Sequence, residues 1–266
     1  MTQPDTYWNA ELYDRLNKPH RVWAQAILDE LALNGDETVL DAGCGSGSVT
    51  FMLLDRLPNG KLYAVDGSPE MIEQITASIA ERELTNIEPI QADLTNFTLR
   101  EPVDVIFSNA VFHWIHDDDG LFGSLLRAAK PGGRLRAQCG GGDNIAKLML
   151  AVDSVSARDP FAEHLTGIDE ARNYRTPESA VAAMERVGWA DARADTYDVQ
   201  VELPDLDEAD AYLRTIILRG HIRHLPESHH DAYTSAVLDE YIERNGPPFT
   251  VDYVRLNLWA TRPTAT

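Results

Sequence analysis

From Glu37 to about Gly142 the chain alternates two rhythms of apolar and polar residues. Short apolar runs at Thr38 to Asp41, Lys61 to Asp66, Glu88 to Asp93, Val103 to Asn109 and Arg134 to Cys139 are strand-length and read as strands buried on both faces. Between them the apolar positions recur at helical spacing, in Val49 to Leu57, Glu70 to Glu83 and Leu121 to Lys130. Ser68 followed by Pro69 is an N-cap and first-turn pair that opens the second of these helices. Pro131, Gly132 and Gly133 are expected to stop the third and turn it into the next strand. Strand-helix-strand alternation of this kind requires a parallel sheet with helices on both faces, so the fold class is α/β.

The flanks have a different rhythm. Tyr7 to Leu33 reads as one or two aromatic-bearing helices with a break marked by Pro19. Thr176 to Val187 reads as a helix, Ala192 to Leu203 as a strand, Asp205 to Asn245 as a helical pair broken near Pro226, and Phe249 to Ala260 as a closing strand. The expected organisation is an N-terminal helical lid segment over 1–36, an α/β domain over 37–204 and 247–266, and a helical cap inserted over 205–246.

Charge narrows the partners. With 23 Lys and Arg against 43 Asp and Glu, the net charge of −20 repels polyphosphate backbones and anionic membranes at long range, so neither nucleic acid nor membrane is expected as a partner. Two cysteines, Cys44 and Cys139, make no disulfide framework and suit a reducing compartment. No apolar run reaches the length of a membrane span, and Met1 to Asp5 lacks the basic and apolar regions of a signal peptide, which leads to a cytoplasmic expectation.

The chemistry concentrates at strand ends. Val39-Leu40-Asp41-Ala42-Gly43-Cys44-Gly45-Ser46-Gly47 is a strand running into a glycine loop, with a helix beyond it. Such a loop brings the backbone close to a ligand, and the helix start offers free N–H groups. A dinucleotide fingerprint would need a third glycine where Ser48 stands, so that reading fails. Asp41 places a carboxylate beside the loop, suited to an amino group. Asp66 ends the second strand, where a ribose diol would be held, and Asp93 with Leu94 after the third offers a carboxylate for an exocyclic amine beside an apolar wall.

Val39 to Gly47, Tyr63 to Met71, Gln91 to Leu94, Val103 to Trp114 and Leu126 to Leu135 together resemble the successive motifs of class I S-adenosylmethionine-dependent methyltransferases. The resemblance covers about the middle hundred residues. It implies a Rossmann-like sheet, mostly parallel with the last strand antiparallel, with N-terminal helices and a helical cap before that strand. It implies S-adenosyl-L-methionine as cofactor and S-adenosyl-L-homocysteine as product. By the same likeness Asp41, Gly43, Gly45 and Gly47 would surround the methionine moiety and Asp66, with Gly67 beside it, the ribose. Ser68, Met71, Asp93 and Leu94 would meet the adenine, and Asn109 and Ala110 would flank the sulfonium.

The family methylates many substrates, so the acceptor must be argued separately. Phe107 to Trp114 carries no Asn-Pro-Pro-aromatic pattern, which sets aside methylation of nucleic acid bases. Trp8 to Tyr13 and Asn109 to Trp114 resemble the subgroup containing trans-aconitate methyltransferase and juvenile hormone acid methyltransferase, which esterify carboxylic acids. In that subgroup a Gln on the N-terminal helix and a Trp after the fourth strand contact the substrate. Trp114 matches the Trp, whereas His20 stands in the Gln position.

Carboxylates are ionised at neutral pH and need no general base, so the expected activity is O-methylation of a small acid. The alternatives are an O-, N- or C-methyltransferase of another small metabolite using His20 or His113 as base, and a cofactor-binding sensor or scaffold without turnover. Trp8, Tyr13 and Trp114 are either pocket or core aromatics. Arg219 and Arg223, in a basic cluster with His221 and His224, either clamp an acidic substrate or balance neighbouring acids. His229, His230 and Asp231 face different sides of a helix and are not expected to bind metal.

Overall fold

The computed structural model describes residues 18–168, 172–203 and 205–264. In chain order the elements are α1 (Lys18–Glu30), β1 (Thr38–Ala42), α2 (Ser48–Leu54), β2 (Lys61–Asp66), α3 (Pro69–Glu81), β3 (Ile87–Gln91) and β4 (Val103–Asn109). A 3-10 turn over Phe112–Trp114 follows, then α4 (Asp118–Ala128), β5 (Ala129–Gly140), α5 (Ala146–Ser156), α6 (Ala162–Leu165), α7 (Pro177–Val187) and β6 (Ala190–Glu202). The chain closes with α8 (Leu206–Tyr212), a π-helical turn over Leu213–Ile217, α9 (Arg219–Ile222), α10 (Glu227–Asn245) and β7 (Thr250–Thr261).

Seven strands form one sheet in the order β3-β2-β1-β4-β5-β7-β6. The pairings from β3 through β5 are parallel, and β7 runs antiparallel to β5. This is the Rossmann-like methyltransferase sheet expected from the sequence. The order reverses between β1 and β4, and ligands in open α/β sheets bind at such a switch point, outside the carboxyl ends of the strands.

The described residues fall into two compact units, one from 21–142, 172–197 and the chain from Arg255 onward, the other from the described parts of 1–20, 143–171 and 198–254. The first holds the two layers that sandwich the sheet. On one face Val39, Leu62, Ala64, Val105 and Phe107 pack with Ile27 and Leu28 of α1, Leu31 just after it, Leu53 of α2 and Ile75 of α3. On the other, Leu40, Tyr63, Val65, Ile106, Leu135 and Leu258 pack with Leu121, Phe122 and Leu125 of α4 and Met184 of α7. Successive strand residues point to opposite faces, so the inner strands β1, β2 and β4 carry apolar residues toward both layers. In the second unit Ser154 of α5 bonds Glu240 of α10, and the Arg158 guanidinium pairs with the same carboxylate.

Helix starts follow the local sequence. Ser68 Oγ accepts from Met71 N–H at 3.3 Å with Pro69 in the first turn of α3, and Asp117 accepts from Gly120 N–H at 2.9 Å to cap α4. Thr176 caps α7, and Gly188 ends it at φ 107°.

One boundary differs from expectation. The helix read as Leu121 to Lys130 stops at Ala128, and Pro131, Gly132 and Gly133 lie inside β5 instead of ahead of it. Ala129 already pairs with Val103, and the register then jumps so that Arg134 pairs with Val105. The residue before a proline avoids the helical region, which starts the extended chain early, and the extra residues bulge out of the ladder. A side chain at Gly133 would sit 2.8 Å from the Lys130 carbonyl, so the bulge needs glycine there. β3 also ends at Gln91, two residues short, leaving Asp93 in the following turn.

Candidate active site

At the carboxyl end of β1 the glycine loop is tied to β2. Gly43 and Cys44 donate their N–H groups to the Val65 carbonyl at 2.8 and 3.0 Å. Gly45 N–H donates to Asp66 Oδ2 at 2.9 Å while Ser68 N–H donates to Asp66 Oδ1 at 2.9 Å, so one carboxylate fixes both the loop and the turn into α3. Asp66 and the loop residues Gly43, Gly45 and Ser46 are half-buried, Gly47 is buried, and Gly67 is exposed.

The three glycines do different jobs. Gly43, at φ 90°, has no room for a side chain because Val111 from beyond β4 fills the space its Cβ would occupy. Gly47, at φ 98°, begins α2 and lies against Phe51. Gly45, at φ 54°, faces open space, with nothing within 4 Å of where a Cβ would be. The loop therefore presents bare backbone to an open side at Gly45, the close approach a ligand requires.

Asp41 is buried and accepts from Thr50 Oγ1 at 2.7 Å. Burial pushes its carboxyl up from 3.8 to about 7, the Thr50 hydroxyl opposes that rise, and the charge of Asp66 adds to it. Burial likewise pushes the Cys44 thiol far above its ordinary range, which makes it inert at neutral pH. Asp93 is exposed and accepts from Thr95 N–H and Oγ1 at 2.8 and 2.9 Å, so it caps its own turn, beside the buried Leu94. Met71 is half-buried on the first turn of α3.

At the end of β4, Asn109 is half-buried and its Oδ1 is buried without a hydrogen-bond partner among the described residues. Ala110 follows at φ 61°, a left-handed backbone held by its N–H bond to the Gln138 carbonyl at 2.7 Å. That conformation costs about 1–3 kcal/mol for a residue with a side chain, and such strain collects at functional sites. It turns the chain off the sheet so that Val111 reaches Gly43.

His113 is buried, and its Nδ1 accepts from Gly140 N–H at 3.3 Å. Trp114 is 52% exposed, with the Arg172 guanidinium 4.6 Å over its ring, which rules out a core aromatic. The turn is fastened from a distant segment. Arg175, 3% exposed, donates to the Phe112 and Ile115 carbonyls at 2.8 and 2.7 Å and pairs with Asp118, while Asn173 N–H donates to the His113 carbonyl at 2.8 Å.

Beside it, β5 and β7 carry a buried polar layer. Arg255 Nε and Nη2 donate to Gln138 Oε1 at 3.2 and 3.1 Å, and Gln138 Nε2 donates to Asn257 Oδ1 at 2.8 Å and to Tyr197 at 3.1 Å. Arg136 bonds Glu30 of α1 at 2.9 Å and Asn257 at 3.1 Å.

The structure thus brings Asp41, Asp66 and the glycine loop together, with Asn109 and Ala110 on the adjoining strand end. In the second unit Arg219, at the start of α9, and Arg223, just after it, are exposed, and Arg223 Nε donates to His224 Nε2 at 3.2 Å. Trp8 and Tyr13 lie outside the described residues, and of His20 only its place on α1 is described. Among the described residues no cluster of three or more His, Cys, Asp or Glu side chains could hold a metal ion, and no helix is long and apolar enough to cross a membrane.

Sequence reading missed Val111, Arg175 and the β5–β7 layer. The alternation Arg255-Leu256-Asn257-Leu258 was visible, but such a pattern also suits a strand with one face in water.

Comparison with known proteins agrees with this fold. A family model described as a methyltransferase domain matches residues 39–133. A trans-aconitate 2-methyltransferase of Azoarcus sp. (strain BH72) is 30% identical over 238 residues, covering 86% of this chain and 87% of that protein. A malonyl-[acyl-carrier protein] O-methyltransferase of Acetivibrio thermocellus is 35% identical over 129 residues, 48% of this chain and 44% of that one. Among solved structures, phosphoethanolamine N-methyltransferase 2 of Haemonchus contortus, in complex with S-adenosyl-L-methionine, shares the fold with a TM-score of 0.62 at 17% identity, covering 95% of this chain and 56% of that chain.

Proposed function

Because this chain belongs to the class I S-adenosylmethionine-dependent methyltransferases, we propose that it methylates the carboxylate of a small organic acid, forming a methyl ester. The chain is a methyltransferase, and its cofactor is S-adenosyl-L-methionine. The residues present fit that group. The Gly45 side of the loop is open, Asp66 adds spare acceptor capacity beside it, and Asn109 offers a polar atom with no partner among the described residues. Gly43, Gly45 and Gly47 with Asp41 would hold its amino-acid end, Asp66 its ribose, Met71, Asp93 and Leu94 its base, and Asn109 with Ala110 would border the reacting carbon. When bound, the cofactor supplies an electrophilic methyl group on a cationic sulfur.

The observation carrying the carboxylate reading is that the titratable side chains described at these strand ends serve the fold as hydrogen-bond acceptors, the one imidazole among them included. Asp41 accepts from Thr50, Asp66 from Gly45 and Ser68, Asp93 from Thr95, and His113 Nδ1 from Gly140. A hydroxyl or ammonium acceptor must lose a proton, and taking it at His113 Nδ1 would break the bond to Gly140. An ionised carboxylate has no proton to lose, so this chain need only desolvate it, orient it and hold it in line. The names of the relatives, trans-aconitate 2-methyltransferase and malonyl-[acyl-carrier protein] O-methyltransferase, support the same class of acceptor.

The test is incubation with methyl-labelled cofactor and a panel of acids, alcohols and amines. The expected product carries label that mild base releases as volatile methanol. Transfer only into base-stable products would overturn the ester reading.

A further inference from the structure

One buried hydroxyl holds the carboxylate of Asp41. Asp41 is 2% exposed, and the fully buried Thr50 of α2 donates to its Oδ2 at 2.7 Å. Threonines in other helices return their hydroxyls to the carbonyl one turn back, Thr76 of α3 to Ile72 at 2.6 Å and Thr234 of α10 to His230 at 3.0 Å. Thr50 instead crosses from its helix to the strand. Its second acceptor is the Cys44 carbonyl at 3.3 Å. The single hydroxyl proton goes to the nearer, charged oxygen while Asp41 is ionised, and can turn to the carbonyl when Asp41 is neutral.

Among the described residues, nothing else around Asp41 favours its charge. Its register partners are Ala64 on β2 and Phe107 on β4, both apolar. The titratable groups facing it are Asp66 on β2, whose like charge opposes ionisation, and Cys44 in the loop, whose thiol stays neutral. Burial opposes the charge most strongly, and Thr50 is the group that counters it. Asp41 Oδ1 receives no hydrogen bond from a described residue, which leaves one oxygen as an acceptor for a group from outside the chain.

We infer that Thr50 is a positioning residue for the cofactor: its hydroxyl, donated to Asp41 Oδ2, keeps the carboxylate ready to meet the cofactor's ammonium group through Oδ1. The inference rests on the placement of the cofactor's amino-acid end at Asp41 and does not depend on the acceptor.

The experiment measures S-adenosylhomocysteine binding by calorimetry at about pH 7 and about pH 8.5, in buffers of different ionisation enthalpy. It compares wild type, Thr50→Val, Thr50→Ser, Asp41→Asn and the variant carrying both Thr50→Val and Asp41→Asn, with near-UV circular dichroism to follow folding. Asp41→Asn, which never carries the charge, is expected to bind about 30-fold more weakly at about pH 8.5. Thr50→Val leaves more of Asp41 protonated at about pH 7, so binding there is expected to weaken about fivefold and to return to within about twofold of wild type at about pH 8.5. Proton release on binding should persist to higher pH in Thr50→Val than in wild type.

Thr50→Ser, which keeps the hydroxyl, should stay within about twofold of wild type at both pH values. Once Asp41 is Asn, adding Thr50→Val should weaken binding by less than about twofold, because the charge it serves is gone. Thr50→Ser and Thr50→Ala differ by the hydroxyl alone and carry the same comparison if Thr50→Val does not fold. A Thr50→Val affinity within about twofold of wild type at about pH 7, a loss equal at both pH values, or an equal loss in the Asp41→Asn background makes the hydroxyl a structural bond only and overturns the inference. The placement of the amino-acid end at Asp41 then still stands on the Asp41→Asn result. Wild-type affinity in Asp41→Asn removes the amino-acid end from Asp41, and the inference falls with that placement.

Discussion

The carboxyl ends of β1 and β2 and the carboxyl ends of β4 and β5, with the antiparallel β7 beside them, are both polar, yet they are assembled differently. The first is stitched by short-range bonds: Thr50 reaches Asp41 across 9 residues of chain, and Gly45 reaches Asp66 across 21. The second is stitched from afar: Arg175 reaches Phe112 across 63 residues, Arg136 reaches Glu30 across 106, and Arg255 reaches Gln138 across 117. Every family member must hold the same cofactor, and compact local motifs suffice for that. The acceptor differs among members, and here the groups that would meet it depend on segments that arrive late in the chain.

Gly43 joins the two regions, because its missing side chain receives Val111 from the second. Gly43→Ala is the change expected to cost most. It forces a methyl group into Val111 and places alanine at φ 90°, for a combined loss of roughly 2–6 kcal/mol in urea denaturation. Val111→Ala in the same chain should return the packing part and leave the backbone strain. If the double variant is no more stable than Gly43→Ala alone, the two regions are not coupled through this contact.

The same contrast explains what the sequence disclosed. Asp41, Gly43, Gly45, Gly47 and Asp66 were legible because a strand, a glycine loop and a helix start follow one another within a few residues, and each leaves its own mark. Ser68 and Pro69 announced α3 for the same reason. The β5–β7 layer was hidden because Arg136, Gln138, Arg255 and Asn257 alternate with apolar residues as an exposed face does, and only tertiary packing buries them. Arg175 looked like any surface arginine, since nothing in its neighbourhood names Phe112 or Ile115 as its acceptors. The Pro131-Gly132-Gly133 stop was misplaced because the same residues serve a turn before a strand or a bulge within one.

A second way to sharpen the comparison uses pH. Asp41 has its folded pKa raised from 3.8 to about 7, so its contribution to stability is fully present below about pH 4 and is lost as the pH rises through about 7. A displacement of that size limits the effect to at most about 4 kcal/mol. The stability of wild type relative to Asp41→Asn should therefore fall between about pH 4 and 7 and level off above. The cationic cofactor should favour the ionised carboxylate, so binding near neutral pH should release a proton, visible as a dependence of the calorimetric heat on buffer ionisation enthalpy. A pH-independent difference between the two proteins would show that Asp41 does not titrate in this range.

The smallest expected effect belongs to the distant clamp and tests whether the two regions are separable in function. Arg175→Lys keeps a positive charge for Asp118 but loses the planar fork that bonds the Phe112 and Ile115 carbonyls together, for about 2 kcal/mol of stability. The turn it releases carries Trp114 and His113, whereas the bonds among Asp41, Thr50, Gly45 and Asp66 are untouched. S-adenosylhomocysteine affinity should then stay at its wild-type value while KM for the acid rises. If both constants shift together, the turn and the glycine loop move as one body, with Val111 seated at Gly43 as the connection between them.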